Sequence, residues 1–343
     1  MTTIYYESDA DLAALHGETV AVVGYGNQGR SWALNLRDSG IEPIVCVRPD
    51  ATRERARADG FDTCDIVAAN TADVICLLVP DDVVPLLGLA PGPRSCVIVA
   101  SGYNLAFGRL SPPGDAGMVA PRMLGPEVRR CYEEGTGFIS AVGVQRDVTA
   151  SALARTLAIA LAIGGLRQGG IELTPLQEAV LDLGVEQVLS PALTAVNSAF
   201  VQAMTERGIP LEAVIVELVL SGEVERTYRL LREVGYAVQS EFHSPTSQYG
   251  QLSRRGCYDD LDLLTTMRKL TEDIESGRFA DEWDAERDAG YPTLTRLKEQ
   301  HAGAAVREFE AELRTRLGPG SIRRLSSSSA TPPGRSTRRS KRR

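Results

Sequence analysis

Residues 19–29, which read TVAVVGYGNQG, decide the fold. The first five residues form a short apolar run that predicts a buried strand, and residues 30–38 (RSWALNLRD) predict a helix that ends before Gly40. A GxGxxG turn between a strand and a helix is typical of dinucleotide sites, because backbone N–H groups and the helix N-terminus receive the pyrophosphate. We therefore predict that Gly24, Gly26 and Gly29 form the cofactor-binding turn.

Further apolar runs continue this pattern. Residues 43–47, 74–79 and 96–100 predict additional strands, with helical stretches between them. This alternation predicts a Rossmann-type α/β domain whose parallel sheet is buried on both faces. After about residue 150 the spacing of apolar residues is helical, so we expect an all-α domain. The predicted boundaries are 1–175 for the Rossmann-type domain and 176–318 for the helical domain. Long helical segments are predicted over 176–204 and 211–234, and the pattern over 261–317 is helical apart from a break near residues 290–292.

The charge of the chain is unevenly distributed. The formal net charge is −8, yet residues 321–343 contain eight Lys or Arg and no acid, so the first 320 residues carry −16. An acidic body argues against a nucleic-acid-binding protein. Residues 319–343 are expected to be a basic disordered tail without a catalytic role. Since the N-terminus does not resemble a secretory signal and no continuous apolar stretch reaches the ~20 residues of a membrane helix, we expect a cytoplasmic protein.

Metal ligands, if any, must come mainly from carboxylates. The six cysteines show no CxxC spacing, and the chain has only three histidines (His16, His243 and His301), so a zinc site is not expected. Oxygen ligands favour a hard ion such as Mg²⁺. Asp182 and Glu186, at i and i+4 in LQEAVLDLGVEQVL, and Glu217 in AVIVELVLS lie in apolar helical segments. Buried carboxylates need a cation or hydrogen-bond donors, although exposed acids without a role remain the alternative.

The segment after the second predicted strand bears on the choice of cofactor. It reads VRPDATR over residues 47–53. Arg48, Thr52 and Arg53 suit the 2′-phosphate of NADPH, whereas Asp50 would repel it. NADPH is therefore favoured, and NADH remains open.

Many blocks of the chain, in one order, resemble ketol-acid reductoisomerases. They include YYESDADL, GYGNQG, ALNLRDSG, ADVICLLVPD, ASGYN, IGGLRQGGIE, DLGVEQ, SQYG and IESGRFADEW, from about Ile4 to Leu317. The resemblance implies a Rossmann domain followed by a knotted helical domain, in homodimers or larger homo-oligomers with shared active sites. It also implies two Mg²⁺ ions, which drive an alkyl migration in 2-acetolactate-type substrates, and NADPH, which reduces the resulting 2-keto acid.

The same resemblance assigns roles to individual residues. Asp182 and Glu186 match the metal ligands of one subunit, and Glu217 matches the first of two glutamates from the partner. Ser244 matches the serine that holds the substrate carboxylate. The positions that match cofactor contacts of the family are Tyr25, Asn27, Gln28, Arg48, Asp81 and Gly125.

Three positions depart from the family pattern. Ser101 stands in place of the histidine of the A-H-G-x-N block, Arg122 in place of the lysine of A-P-K, and Ser221 in place of the partner's second glutamate. Glu223, two residues further, would point about 200° away on a continuous helix. Two hard cations need several carboxylates, so we expect fewer than two tight Mg²⁺ sites.

These departures favour a reductase whose isomerase step is lost or weakened. Its expected substrate is a 2-keto acid, another ketone or an imine of specialised metabolism, and Ser101 and Arg122 are candidate catalytic residues. Two alternatives stay open: a genuine magnesium-dependent ketol-acid reductoisomerase of branched-chain amino-acid biosynthesis, and a non-catalytic NADP-binding protein.

Overall fold

The structure is a computed structural model that describes residues 1–301 and 304–317 of the chain. The predicted basic tail, residues 319–343, lies outside the described residues. The chain divides into two compact units. The first comprises Met1–Leu193 and Asp262–Tyr291, and the second comprises Thr194–Leu261 and the described chain from Pro292 onward.

A nine-stranded sheet forms the centre of the first unit. The strands are β1 (Ile4–Tyr5), β2 (Val20–Val23), β3 (Ile44–Cys46), β4 (Thr63–Cys64), β5 (Val74–Leu77), β6 (Cys96–Val99), β7 (Asp115–Pro121), β8 (Ser140–Arg146) and β9 (Gly170–Glu172). Their order in the sheet is β1-β9-β8-β7-β6-β5-β2-β3-β4. The four strands predicted from the sequence correspond to β2, β3, β5 and β6, and the Rossmann-type fold is confirmed.

Helices make up most of the remaining secondary structure. They are α1 (Asn27–Asp38), α2 (Ala51–Ala58), α3 (Tyr103–Ala106), α4 (Gly125–Glu133), α5 (Ala152–Ala162), α6 (Pro175–Gly184), α7 (Ser190–Thr205), α8 (Leu211–Ile215), α9 (Glu223–Gln239), α10 (Pro245–Arg254), α11 (Leu263–Glu275), α12 (Arg278–Asp288), α13 (Pro292–His301) and α14 (Ala304–Leu317). Two π-helical turns, Val185–Leu189 and Val216–Leu220, follow α6 and α8. The expected helical C-terminal region is confirmed.

The prediction of a wholly parallel sheet is wrong at two places. Strands β2 to β7 pair in parallel, but β7 pairs antiparallel with β8, and β1 pairs antiparallel with β9. Strand β7 (DAGMVAP) contains glycine and alanine where a buried strand usually has β-branched residues, so its composition gave no strand signal.

The sheet is buried on both faces, as predicted. Along β2, Val20 and Val22 pack into one apolar cluster, whereas Ala21 and Val23 pack into another. This alternation follows from the two-residue period of a strand. The fully buried Trp32 of α1 belongs to the first cluster, so it anchors the helix that follows residues 24–29, the glycine loop.

The glycine loop is closed by direct backbone contact. Gly24 has φ +95°, and a Cβ there would lie 2.5 Å from the carbonyl oxygen of Leu78. A Cβ on Gly29 would lie 2.2 Å from the carbonyl oxygen of Gly24. Gly26, by contrast, has no atom within 4 Å of its Cβ position. Two glycines therefore allow the close packing of the turn, and the third leaves its surface open.

Two expectations about the helical region need correction. The predicted helix over 211–234 is interrupted at Gly222, whose φ of +72° ends the first segment before α9 begins. The helix that carries Asp182 is also not largely buried: Leu181 is 54% exposed, Val185 52% and Leu189 44%. Helices α3 and α11, with a smaller contribution from β8, pack against α6, and its apolar stripe is wider than the face they cover.

The helical run Pro175–Thr205 is, among the described residues, long and apolar enough by composition to cross a membrane. Only 11% of its most apolar window is buried in the single chain. Such a helix is weak evidence for a membrane span, because interface helices have the same composition.

We expect Gly29→Ala to lower the free energy of unfolding by about 2–3 kcal/mol, because its new methyl group would collide with the Gly24 carbonyl. Gly26→Ala is the matched control and should cost less than about 1 kcal/mol, since nothing occupies that space. Chemical denaturation of both variants tests this. Equal losses of stability would contradict the proposed packing of the loop.

Candidate functional site

Two cavities lie on either side of the glycine loop. The cavity beside β3 has a volume of about 270 Å³ and is lined in part by Gly24, Tyr25, Gly26, Arg48, Asp50 and Thr52. The cavity beside β6 has about 350 Å³ and is lined in part by Gly26, Asn27, Gln28, Asp81, Ser101 and Asn104. Strand order reverses at β2, which lies between β3 and β5. Dinucleotides bind across such a switch point, with the adenosine half beside the second strand.

The residues predicted to bind the 2′-phosphate of NADPH differ in their exposure. Arg48 is 79% exposed at the first cavity, and its Nε lies 3.5 Å from a carboxylate oxygen of Asp50. The same carboxylate accepts a hydrogen bond of 2.9 Å from the Thr52 backbone N–H. Arg53 is turned inward, since it donates to the carbonyl oxygen of Val47 at 2.5 Å and is only 13% exposed. Arg48 and Thr52 are thus available to a ligand, whereas Arg53 stabilises the protein.

Gly125 and Gln28 are positioned by packing between two helix N-termini. A Cβ on Gly125 would lie 2.5 Å from the backbone carbon of Asn27, so only glycine lets the start of α4 approach the start of α1. The Gln28 side chain donates to the carbonyl oxygen of Met123 at 3.3 Å and accepts from the Trp32 indole at 3.2 Å. These two hydrogen bonds hold Gln28, and with it the end of the glycine loop, against Met123 and Trp32.

Tyr25, despite its place in the loop, is almost fully buried. Its hydroxyl donates a hydrogen bond of 2.8 Å to Asp59, which also forms an ion pair with Arg30 at 2.7 Å. Burial, together with the neighbouring carboxylate, raises the pKa of the Tyr25 hydroxyl. Tyr25 therefore anchors the loop through its side chain and can offer mainly its backbone to a ligand.

Asp81 sits in the second cavity with a partner that the sequence did not reveal. The Asn104 amide donates a hydrogen bond of 2.7 Å to Asp81, and burial raises the pKa of this carboxyl group to about 6. The Oδ1 atom of Asn104 is buried and has no hydrogen-bond partner among the described residues. Asn104 ends the ASGYN block, which was the available signal for its role.

A second missed residue, Glu178, connects the cavity to the predicted acidic site. Its side chain is buried, and it accepts hydrogen bonds of 2.6 Å from both the Gly102 backbone N–H and the Arg122 guanidinium. Arg122 also forms an ion pair with Asp182. Burial raises the pKa of Glu178, although the two donors oppose this change. The i, i+4 spacing of Glu178 and Asp182 was visible in the sequence.

Ser101 lies directly before Gly102 and lines the second cavity. Its hydroxyl accepts a hydrogen bond of 3.3 Å from the backbone N–H of Tyr103. The Ser101–Gly102 turn is thus held on one side by α3 and on the other by Glu178.

The remaining predicted site residues are distributed over both units. Glu186 is exposed on the π-helical turn after α6, in the first unit. Glu217 is exposed on the π-helical turn after α8, in the second unit, where Ser244 caps α10 by accepting from the Ser247 backbone N–H at 3.3 Å. Single π-helical turns occur frequently at functional sites, because they re-aim side chains.

The first unit contains two of the three predicted metal ligands. No group of three potential metal-ligating side chains occurs within the described part of the chain. The first unit offers Asp182 and Glu186, and the Asp182 carboxylate is already paired with a guanidinium. Magnesium binding therefore stays a prediction.

Comparisons with known proteins agree with this geometry. The family model "Acetohydroxy acid isomeroreductase, NADPH-binding domain" matches residues 14–169, and "Ketol-acid reductoisomerase, C-terminal domain" matches residues 176–318. The chain belongs to the ketol-acid reductoisomerase family. It is accordingly an NAD(P)H-dependent oxidoreductase that acts on a keto group.

Individual ketol-acid reductoisomerases match over most of their length. The NADP(+) enzyme of Caldivirga maquilingensis is 39% identical over 87% of this chain and 93% of its own. The NADP(+) enzyme of Methanocaldococcus jannaschii is 35% identical over 93% of this chain and 99% of its own. The structure of an NADH-preferring ketol-acid reductoisomerase from an uncultured archaeon superposes with a TM-score of 0.83 at 30% identity, covering 91% of this chain and 98% of that one.

We expect Asp81→Asn to change how stability depends on pH. An aspartate whose pKa rises to about 6 on folding binds more protons in the folded state, so stability falls as the pH rises from about 4 to about 6. Asparagine cannot ionise, so the variant should not show this loss of stability, which is on the order of 2–3 kcal/mol. Its side-chain oxygen can still accept the hydrogen bond from Asn104. Unfolding curves at several pH values test the prediction. Parallel pH profiles for the two proteins would contradict it.

Proposed function

We propose that this chain is an NAD(P)H-dependent reductase of 2-keto acids, other ketones or imines, with a weakened or absent isomerase step, and that it serves specialised metabolism. The single observation that carries this proposal is the environment of Ser221. In the family pattern this position supplies the partner's second glutamate. The proposal therefore depends on whether any other group replaces that carboxylate.

The contacts of Ser221 support the proposal that this position no longer supplies a metal ligand. Its hydroxyl donates to the carbonyl oxygen of Glu217 at 3.2 Å and accepts from the Glu223 backbone N–H at 3.2 Å. Glu223 begins a new helix after the left-handed Gly222, so it does not continue the helix face of Glu217. With three carboxylates instead of four, the repulsion between two cations is less well compensated. Alkyl migration needs a ketone and an alkoxide to be polarised together, so this step would suffer most.

Coenzyme binding follows from the two cavities. We propose that Arg48 and Thr52 hold a 2′-phosphate, that the glycine loop and the N-terminus of α1 receive the pyrophosphate, and that Asp81 borders the nicotinamide. The exposed side chain of Arg48 favours NADPH, although the negative charge of Asp50 beside it weakens this preference. When bound, the coenzyme supplies the hydride.

We further propose that a second copy of the chain covers the exposed apolar side chains of the helical run from α6 to α7, as in family members with shared active sites. Leu181, Val185 and Leu189 would otherwise remain in contact with water. If a second copy buries this helical run, its apolar composition is explained without insertion into a membrane. This agrees with the expected cytoplasmic location.

A pair of substrates tests the proposed reaction. In the presence of NADPH and Mg²⁺, the protein should reduce 3-hydroxy-3-methyl-2-oxobutanoate, which requires no migration, at least about 100-fold faster than it converts 2-acetolactate. Ser221→Glu should raise turnover of 2-acetolactate, and Ser221→Ala is the matched control that should not. NADPH absorbance and product analysis provide the measurement.

Efficient conversion of 2-acetolactate by the unaltered protein would instead establish the second candidate, a complete ketol-acid reductoisomerase. The observation that favours this candidate is that Asp182 and Glu186 are retained on successive turns of one helical run. Two tight Mg²⁺ sites in the metal-free protein would support it in the same way.

A further inference from the structure

We propose that Arg122 replaces a divalent metal ion in this chain, so that its guanidinium group binds the carbonyl oxygen of the substrate and reduction proceeds without metal. This inference rests on the proposed reductase activity but not on the loss of the isomerase step at Ser221. It concerns a different residue and a different contact.

The first step of the argument is the position of the guanidinium group. Arg122 lies at the end of β7 and bridges two carboxylates one turn apart on α6, Glu178 and Asp182. Two negative charges at this spacing repel each other, and the burial of Glu178 makes that repulsion stronger. A cation between them is therefore required, and this chain supplies its own.

The second step connects this cation to the coenzyme cavity. One oxygen of Glu178 accepts from Arg122 and the other accepts from the Gly102 N–H, each at 2.6 Å. Ser101, the neighbour of Gly102, lines the cavity beside β6. The guanidinium group is thus held one carboxylate away from the turn that borders the predicted nicotinamide position.

The third step is the difference between arginine and the lysine of the family pattern. A guanidinium group has five N–H donors in one plane, so after its contacts with Glu178 and Asp182 it retains donors for a ligand. The Arg122 side chain is 28% exposed, which leaves it accessible. An ammonium group is a point charge that cannot bridge both carboxylates in this planar way.

The fourth step is electrostatic competition. A divalent ion on Asp182 would have to displace the guanidinium group or bind beside it. In the second case two like charges would lie within a few ångströms of each other in a partly buried site. Arg122 therefore lowers the affinity of Asp182 for Mg²⁺.

The chemistry of reduction suits a guanidinium group. Hydride adds to the carbonyl carbon, the electron pair of the C=O bond moves to oxygen, and the coenzyme is oxidised. The negative oxygen forms beside the N–H donors of Arg122 and then takes a proton from water. Arginine keeps its charge, so it stabilises the oxyanion without donating a proton.

The experiment compares metal-free and magnesium-saturated protein. The full-length chain is freed of metal with EDTA, and NADPH oxidation with 3-hydroxy-3-methyl-2-oxobutanoate is followed in excess EDTA and in excess MgCl₂. We expect the two rates to agree within about twofold. Arg122→Lys keeps the positive charge but should lose about 100-fold in EDTA and recover with Mg²⁺.

Arg130→Lys is the matched control. Arg130 is exposed on α4, where it pairs with Glu127 and Glu134, so neither its rate nor its response to metal should change. A second readout does not require activity: calorimetric titration of Mg²⁺ into the metal-free proteins should show at least about tenfold tighter binding by Arg122→Lys than by the unaltered chain. NADPH fluorescence checks that each variant still binds the coenzyme.

The outcomes distinguish a failure of the proposed role of Arg122 from a failure of the proposed reductase activity. Loss of keto-acid reduction in EDTA, restored by Mg²⁺, would overturn the role of Arg122 and leave the reductase intact. Equal activity of Arg122→Lys in EDTA would also overturn it. If no keto acid is reduced under any condition, the reductase proposal fails, and Mg²⁺ binding equally tight in both proteins would then overturn the electrostatic argument as well.

Discussion

The buried carboxylate of Glu178 connects the parts of the first unit that matter for chemistry. One of its oxygens holds the Gly102 backbone N–H at the end of β6, and the other holds the Arg122 guanidinium at the end of β7. Because Glu178 lies on α6, both strand ends are fixed to the same helix. A charged group in this position is stable only if its donors are retained, so the geometry of the turn, the arginine and the helix depend on one another.

The coenzyme half of the site was largely predictable from the sequence. The glycines at 24, 26 and 29 follow from local backbone requirements, and the strand-turn-helix context identified them. Arg53 was not predictable in the same way: its side chain turns inward to Val47 and Asp65, which depends on the packing of β3 against β4. Sequence spacing gives the position of a charge along the chain but not the direction in which its side chain points.

The acidic half was predictable only in part. The i, i+4 rule drew attention to Asp182 and Glu186, yet Glu178 at the preceding turn is the carboxylate that the fold buries. Burial of the helix itself was overestimated, because an apolar stripe does not reveal whether the same chain or a second copy covers it. The break at Gly222 was also missed, since a positive φ at one glycine interrupts a helix without changing the apolar pattern around it.

The proposed coenzyme contacts and the proposed polarisation of the substrate therefore rest on different kinds of constraint. The glycine loop is closed by backbone packing, which leaves little room for variation. The acidic site is built from side chains whose charges must balance, and such a site can exchange a metal ion for a guanidinium group while the fold stays the same. The proposed reductase function depends on this separation, because reduction could then be retained while the isomerase step declines.

The dependence on Glu178 is tested most directly by a double-mutant cycle with Glu178→Gln and Arg122→Gln, measured as free energies of unfolding in denaturant. The account predicts a coupling energy of about 2 kcal/mol, because the two side chains form one partly buried, charge-assisted contact. Effects that simply add, to within about 0.5 kcal/mol, would contradict it.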